Sequence, residues 1–313
     1  DYSTGSEAFL LEPQSTNLIR YSEDFSNSYW LKLNNVNVSN EKVISPDGTL
    51  NASQLIYDGT SGGRIEKGIG GLTQGADYTV SVYARVSSGT QAVRLGSVND
   101  FEYTLTTEWQ RLTSTQPEND TVAYPRLICN DTATIEIWAF QLEQQSFATS
   151  YIPTSGATAT RNQELCNNAT PVINSEEGTL YAEIGSLIGD ESVGQLSLSN
   201  GTANETIKIL YLNSNSVRVE MQTVSGVNFV KDITLTRDGT FDKVAIRYKS
   251  NNYAVYHNGV SQTVTQTAST PIGLNKIAFN RGDGGSIFFG NTKGLKVYPK
   301  ALADVQLQDL TTL

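Results

Sequence analysis

From Tyr78 to Val86 the chain reads YTVSVYARV, and its apolar residues fall on every second position. Tyr78, Val80, Val82, Ala84 and Val86 share one face, while Thr79, Ser81, Tyr83 and Arg85 share the other. That is the period of a strand with one buried side. A helix cannot bury such a set, because alternate residues lie about 200° apart around its axis. The same constraint returns along the chain. TIEIWAFQL, from Thr134 to Leu142, is a second long strand, apolar enough on both faces to lie inside a sandwich. FDKVAIRYKSNNYAVYHNGV, from Phe241, reads as two alternating strands turned by Ser250-Asn251-Asn252, and Asn258-Gly259 begins the next reversal. Helical spacing is confined to the tail ALADVQLQDL, Ala301 to Leu310, with Leu302, Val305, Leu307 and Leu310 apolar.

Between about Pro153 and Ser175 the periodicity gives way to small polar residues, and 313 residues suffice for two domains of ordinary size. The expectation is all-β: two antiparallel β-sandwich (jelly-roll) domains in tandem. Residues 1–16 form a lead-in, 17–160 the first domain, 161–172 a linker and 173–313 the second domain. A start at Asp1 without methionine suggests a processed product or fragment. The formal charge of −10 leaves few scattered Lys and Arg, so a phosphate backbone is an unfavourable partner. No apolar run approaches the roughly 20 residues of a membrane-spanning helix. Cys129 and Cys166 read as two free thiols packed as small apolar groups.

Candidate catalytic groups are sparse. Glycoside hydrolysis needs two carboxylates facing one cleft, and Glu176-Glu177 are adjacent, so a strand would send them to opposite faces. The single histidine, His257, stands before Asn258-Gly259 and reads as a solvated turn residue. No Gly-x-Ser-x-Gly elbow accompanies it. Ser45-Pro46-Asp47-Gly48-Thr49 is a turn, with Pro presetting φ and Asp bonding back to the backbone. Arg281-Gly282-Asp283 reads as a chance tripeptide in a glycine-rich hairpin. The expectation is a protein that is not an enzyme.

Several segments carry resemblances. NLIRYSEDFSNSYW (Asn17 to Trp30), SPDGTLNASQL (Ser45 to Leu55), GADYTVSVYARV, TEWQRLT and IEIWAFQLEQ resemble the jelly-roll carbohydrate-binding modules of families 4, 9 and 22. LLEPQSTNLI, YSEDFSNSYW, FQLEQQSFATSYIPTSGATATRN and GTLYAEI look like segments of phage virion proteins, tail and head fibres especially, and of some marine bacterial surface proteins. GTLYAEI, YAVYHNGV and GNTKGLKVYPKALADVQLQDL resemble the laminin-G or concanavalin-A-like sandwich over Ile173 to Leu313.

The first resemblance implies a structural calcium held by early acids, here Glu23 and Asp24, and by acids of the last strand. The family's acidic pair falls at Trp138 and Ala139, which leaves Glu143 as the nearby ligand; hard cations take six to eight oxygens. Sugar binding needs aromatic faces and planar polar groups. Tyr83 and Arg85 share the non-core face of one strand, and Arg64 and Arg94 lie on neighbouring predicted strands. These four are the candidate glycan site, and arginine forks suit acidic glycans. The same residues also read as a solvated sheet face or an intersubunit contact. Trp30, Trp109 and Trp138 read as core.

Together the resemblances imply a non-catalytic virion fibre or decoration that binds host surface carbohydrate. Its partners would be other virion proteins and copies of itself, most simply as a trimer. The alternatives are a secreted bacterial carbohydrate-binding or adhesin fragment of a polysaccharide-degrading system, and a purely structural virion spacer.

Overall fold

The computed structural model describes residues 8–166, 171–186, 194–213, 215–235 and 241–313. The start of the expected lead-in (1–7) and the middle of the expected linker (167–170) lie outside the described residues. The chain forms two compact units, Gln14–Gln163 and a second built from Glu164–Leu313 with the N-terminal segment. Each is an antiparallel β-sandwich.

In the unit Gln14–Gln163, two five-stranded sheets enclose the core. The first sheet runs, in spatial order, Asp100–Leu105, Gln91–Gly96, Arg126–Cys129, Gly63–Glu66 and Leu31–Leu33. The second runs Gln110–Pro117, Asp77–Val86, Thr132–Glu143, Leu50–Asp58 and Val36–Ile44. The alternating segment is the middle of the strand Asp77–Val86, and Tyr78, Val80, Val82, Ala84 and Val86 all join the core, as their period requires. They meet Ile65, Val93, Leu95 and Leu127 from the first sheet, each side chain contributing about 1.5–3 kcal/mol by burial. Trp30 closes one end against Phe140, with ring centroids 5.0 Å apart, and its indole N–H donates to the Tyr21 carbonyl.

The strand Thr132–Glu143 carries an irregularity. Ala139 sits at φ 59° and the ladder to Asp77–Val86 shifts register between Trp138 and Gln141. A bulge of this kind re-aims the following side chains. Phe140 and Leu142 thereby return to the core, while Trp138, Gln141 and Glu143 face outward.

The second unit pairs a six-stranded with a five-stranded sheet. The predicted hairpins appear as Asp242–Lys249, Ala254–His257 and Val260–Gln262, with Asn251 and Asn258 in the left-handed region that their turns require. The tail forms the helix Asp304–Thr311, with Leu307 fully buried beside Tyr181 and Tyr256 and Leu302 and Leu310 packed against them; Val305 instead faces solvent. The lead-in is corrected here. Phe9–Leu11 pairs antiparallel with Gly290–Tyr298, and Leu11 enters the second unit's core at 1% exposure. Its sequence, FLL, is too short to declare a partner, and only the ladder reveals which sheet it completes. Both cysteines are free thiols. Among the described residues, no helix is long and apolar enough to cross a membrane.

Candidate functional site

The first sheet's outward face is ordered by its register. Leu33, Arg64, Ile128, Arg94 and Glu102 stand opposite one another across five strands and form one row. Leu31, Glu66, Arg126, Gly96 and Asp100 form the next. Their neighbours Ile65, Leu127, Val93 and Leu95 point into the core, so strict alternation holds both rows on the outside.

The second row is largely a brace. Arg126 donates from Nε to Asp100 at 2.8 Å, from Nη1 to the Ser97 carbonyl at 2.8 Å and from Nη2 to the Val98 carbonyl at 3.0 Å. It thus fixes the hairpin that joins Gln91–Gly96 to Asp100–Leu105. Beneath that hairpin Glu118 is fully buried and accepts from the Ser97 hydroxyl, and its other oxygen has no partner. Burial pushes the Glu118 carboxyl above its usual range, against the lowering effect of the Ser97 bond and of Arg126.

The first row is freer. Arg64 is held by Glu66 at 2.7 Å and by the Gly62 carbonyl at 3.3 Å. Among the described residues the Arg94 side chain has one distant ionic neighbour, Asp100 at 3.8 Å, and no hydrogen-bond partner. The two guanidinium groups flank Ile128, which their stems leave only 5% exposed. Beside them lies a shallow depression of about 120 Å³, lined among others by Arg94, Glu102, Ile128, Asn130 and Asp131. At the other end of the strand Arg126–Cys129 stands Tyr124, 48% exposed. The Lys67 amide bonds to the Pro125 carbonyl at 3.2 Å, continuing the ladder, and the Tyr124 ring covers Gly68.

The four residues of the predicted glycan site do not form one patch. Arg64 and Arg94 share the first sheet, whereas Tyr83 and Arg85 lie on the outward face of the second. Period-2 alternation places residues on a face but does not say which strands share a sheet. The second sheet's outward face is also strapped. Residues 145–152 cross it, with the Ile152 amide donating to Gln141 at 2.7 Å, Thr79 donating to the Gln145 carbonyl at 2.8 Å and Arg111 donating to the Thr149 carbonyl. Under the strap Tyr83 packs against Trp138 and Tyr151 packs against Trp138. Arg85 is consumed by Glu136 at 2.6 Å and lies 4.7 Å over the Trp109 ring. Trp109 and Trp138 therefore belong to an apolar layer between sheet and strap, and Trp30 alone of the tryptophans belongs to the main core.

The residues assigned to calcium do not converge. Glu143 is fully buried and accepts from Ser15 at 2.7 Å, from the Thr149 amide at 3.1 Å and from the Thr149 hydroxyl. Glu23 accepts from Asn51 and Tyr151, each at 2.9 Å. Asp24 caps a tight turn through Ser26 and Asn27, and the Ser26 hydroxyl holds its carboxyl below the usual range. Among the described residues no three acids, histidines or cysteines gather as a metal cluster. Oxygens so occupied do not fit a shared hard cation.

His257 is also corrected. It ends the strand Ala254–His257 with Nε2 2.8 Å from Asp242 Oδ1, and the two side chains are only 13% and 15% exposed. Asp242 accepts in addition from the Tyr211 hydroxyl at 3.2 Å. The carboxylate draws the ring onto the neighbouring strand and out of the turn. Arg281 and Asp283 close on each other at 2.8 Å around Gly282.

Sequence reasoning missed Tyr124, Ile128, Glu102, Asn130 and Asp131. The alternation Tyr124, Arg126, Ile128, Asn130 is present in YPRLICN, but Pro125 interrupts it and the strand spans only Arg126–Cys129.

No protein-family model matches the chain, and a comparison with curated proteins found no match. Among solved structures it is similar to the CBM40 of Ruminococcus gnavus IT-sialidase bound to α2,3 sialyllactose, at 18% identity over 44% of this chain and 84% of that one, with a TM-score of 0.38. It is similar to mouse laminin α1 chain domains LG4-5, at 9% identity over 83% and 90% and a TM-score of 0.34. A third is the N-terminal CBM22-1-CBM22-2 tandem domain from Paenibacillus barcinonensis Xyn10C, at 8% identity over 94% and 97% and a TM-score of 0.32. Identities this low and superpositions this loose leave the site to be read from its own residues.

Proposed function

We propose that the chain is a non-catalytic carbohydrate-binding protein whose ligand lies along the outward side of the strand Arg126–Cys129. The row Arg64–Ile128–Arg94, with Tyr124 exposed further along the same strand, carries this reading. A sugar ring has an apolar face and a rim of hydroxyl groups. Tyr124 offers apolar surface to the first, and the guanidinium forks with Glu102 and Asn130 offer donors and acceptors to the second. Alternate residues on a strand are about 7 Å apart, so Tyr124 and Ile128 span roughly 13 Å, which suits an oligosaccharide more than a single sugar. Of the acids on this face, Glu66 and Asp100 hold arginines and Asp131 accepts from Gln91, so among the described residues Glu102 alone has no partner.

The depression is shallow, and weak single sites become useful adhesion when several act together. This supports reading the chain as a homo-oligomer, in the simplest case a trimer, that presents the face repeatedly. Within this class the wording of its segments favours a phage fibre or decoration that grips host surface glycans. A secreted bacterial carbohydrate-binding fragment would present the same face, and immunogold labelling of particles separates the two. The binding itself is tested on a glycan array with wild type and with Arg64→Ala combined with Arg94→Ala. Selective retention by wild type supports the reading, and identical profiles refute it.

A further inference from the structure

Resting on that reading, we infer that the face is built for uncharged glycans and turns acidic ones away. Three guanidinium groups and four carboxylates share it: Arg64, Arg94 and Arg126 with Glu66, Asp100, Glu102 and Asp131. Every arginine already faces an acid, at 2.7 Å for Arg64–Glu66, 2.8 Å for Arg126–Asp100 and 3.8 Å for Arg94–Asp100.

The depression is the decisive place. Its one guanidinium, Arg94, lines it together with Glu102, its direct cross-strand neighbour, and Asp131. Asp131 is anchored by the Gln91 amide at 2.9 Å, while Glu102 is exposed and has no partner among the described residues. A uronate, sialyl carboxylate or sulfate reaching for Arg94 would enter the depression that both carboxylates line. Like charges there oppose binding, and the chain's −10 total repels an anionic polymer during its approach as well. A sugar hydroxyl meets no such barrier, since it donates to Glu102 or Asp131 and accepts from Arg94 in one arrangement. Specificity here comes as much from what is refused as from what is held.

The expectation that arginines on this domain select acidic glycans is therefore reversed: the guanidinium groups orient hydroxyls, and Glu102 and Asp131 set the selectivity. The experiment uses the full chain on an array of uncharged, sialylated, uronate-containing and sulfated oligosaccharides, with Glu102→Gln combined with Asp131→Asn as the variant. Wild type should retain uncharged members only. Relative to the uncharged members, the variant should gain acidic ones by at least about tenfold, because two unit charges beside the ligand are removed. Circular dichroism confirms that the variant is folded. Wild-type preference for acidic glycans, lost in Arg94→Gln, overturns the inference while leaving carbohydrate binding intact. A variant unchanged in profile also overturns it. Retention of no glycan by any form removes the underlying reading, and this inference with it.

Discussion

The Tyr124 ring packs directly over Gly68: a Cβ placed on Gly68 would lie 3.2 Å from Tyr124 Cε1. Gly68 lies between the strands Gly63–Glu66 and Ile69–Gly70, and it seats an aromatic ring that remains 48% exposed. The pair turns an ordinary surface tyrosine into a fixed platform at one end of the proposed binding track. Tyr124→Ala is expected to weaken glycan retention about tenfold, roughly 1.4 kcal/mol. Gly68→Val, which displaces the ring without deleting it, should weaken it in the same direction. Isothermal titration with the best array hit measures both, and unchanged affinity in either variant counts against the platform.

The division of the four predicted residues between two sheets gives a second test. Arg64→Ala with Arg94→Ala should abolish retention at a smaller cost in stability, because Glu66, which loses Arg64, keeps 12% exposure and the pair Arg94–Asp100 is 3.8 Å apart. Tyr83→Ala with Arg85→Ala should do the opposite. Glu136, whose side chain is 5% exposed, then loses its only ion-pair partner, at a cost of about 1–3 kcal/mol. Denaturant unfolding alongside the array distinguishes binding residues from structural ones.

Glu118 predicts a pH dependence with a definite sign. Its folded-state carboxyl lies above the ordinary range because burial disfavours the charge. Its contribution is therefore fully present below the ordinary carboxylate pKa and is lost as pH rises through the folded value. Glu118→Gln removes that loss. The stability difference, variant minus wild type, should grow from about pH 4 towards neutrality; a flat difference would show that Glu118 does not titrate as its burial demands. The comparison must be made as a difference, because carboxylates such as Asp283, held at about 2 by Arg281, contribute with the opposite sign.

The N-terminal strand predicts where truncation is felt. Leu11→Ala should cost about 2–4 kcal/mol by leaving a cavity. The loss belongs to the second unit, since Leu11 packs in that core and Phe9–Leu11 pairs with Gly290–Tyr298. Hydrogen exchange should accelerate in Gly290–Tyr298 and remain unchanged in Asp77–Val86. Acceleration in the latter strand would place Leu11 wrongly.

Calcium offers the fifth test. With Glu143 enclosed by hydroxyl and amide donors and Glu23 tied to Asn51 and Tyr151, neither added calcium nor EDTA should move the unfolding midpoint. A rise with calcium that disappears in Glu143→Gln would restore the metal reading. Glu143→Gln alone should destabilise, because the Thr149 amide and hydroxyl lose a charged acceptor.

The sequence by itself determined the long alternating strands, their buried faces and the C-terminal helix. Tyr78, Val80, Val82, Ala84 and Val86 could be assigned inward before any partner was known, because side chains alternate across a strand whatever lies beside it. Turn chemistry was equally local, and Ser45 to Thr49 and Asn258-Gly259 fold as their residues require. What only the tertiary structure decided was adjacency. Arg64, Arg94 and Ile128 are separated by dozens of residues and meet because three strands share a ladder, a non-local fact that no periodicity encodes. Tyr83 and Arg85 satisfied the same local pattern but fell on the other sheet, beneath a strap whose sequence carries no strand signal. The placement of Phe9–Leu11 in the second unit, the pairing of His257 with Asp242 and the burial of Glu143 are of the same kind. Each depends on which backbone groups lie next to one another after the sheets have closed, and that is settled by the core as a whole.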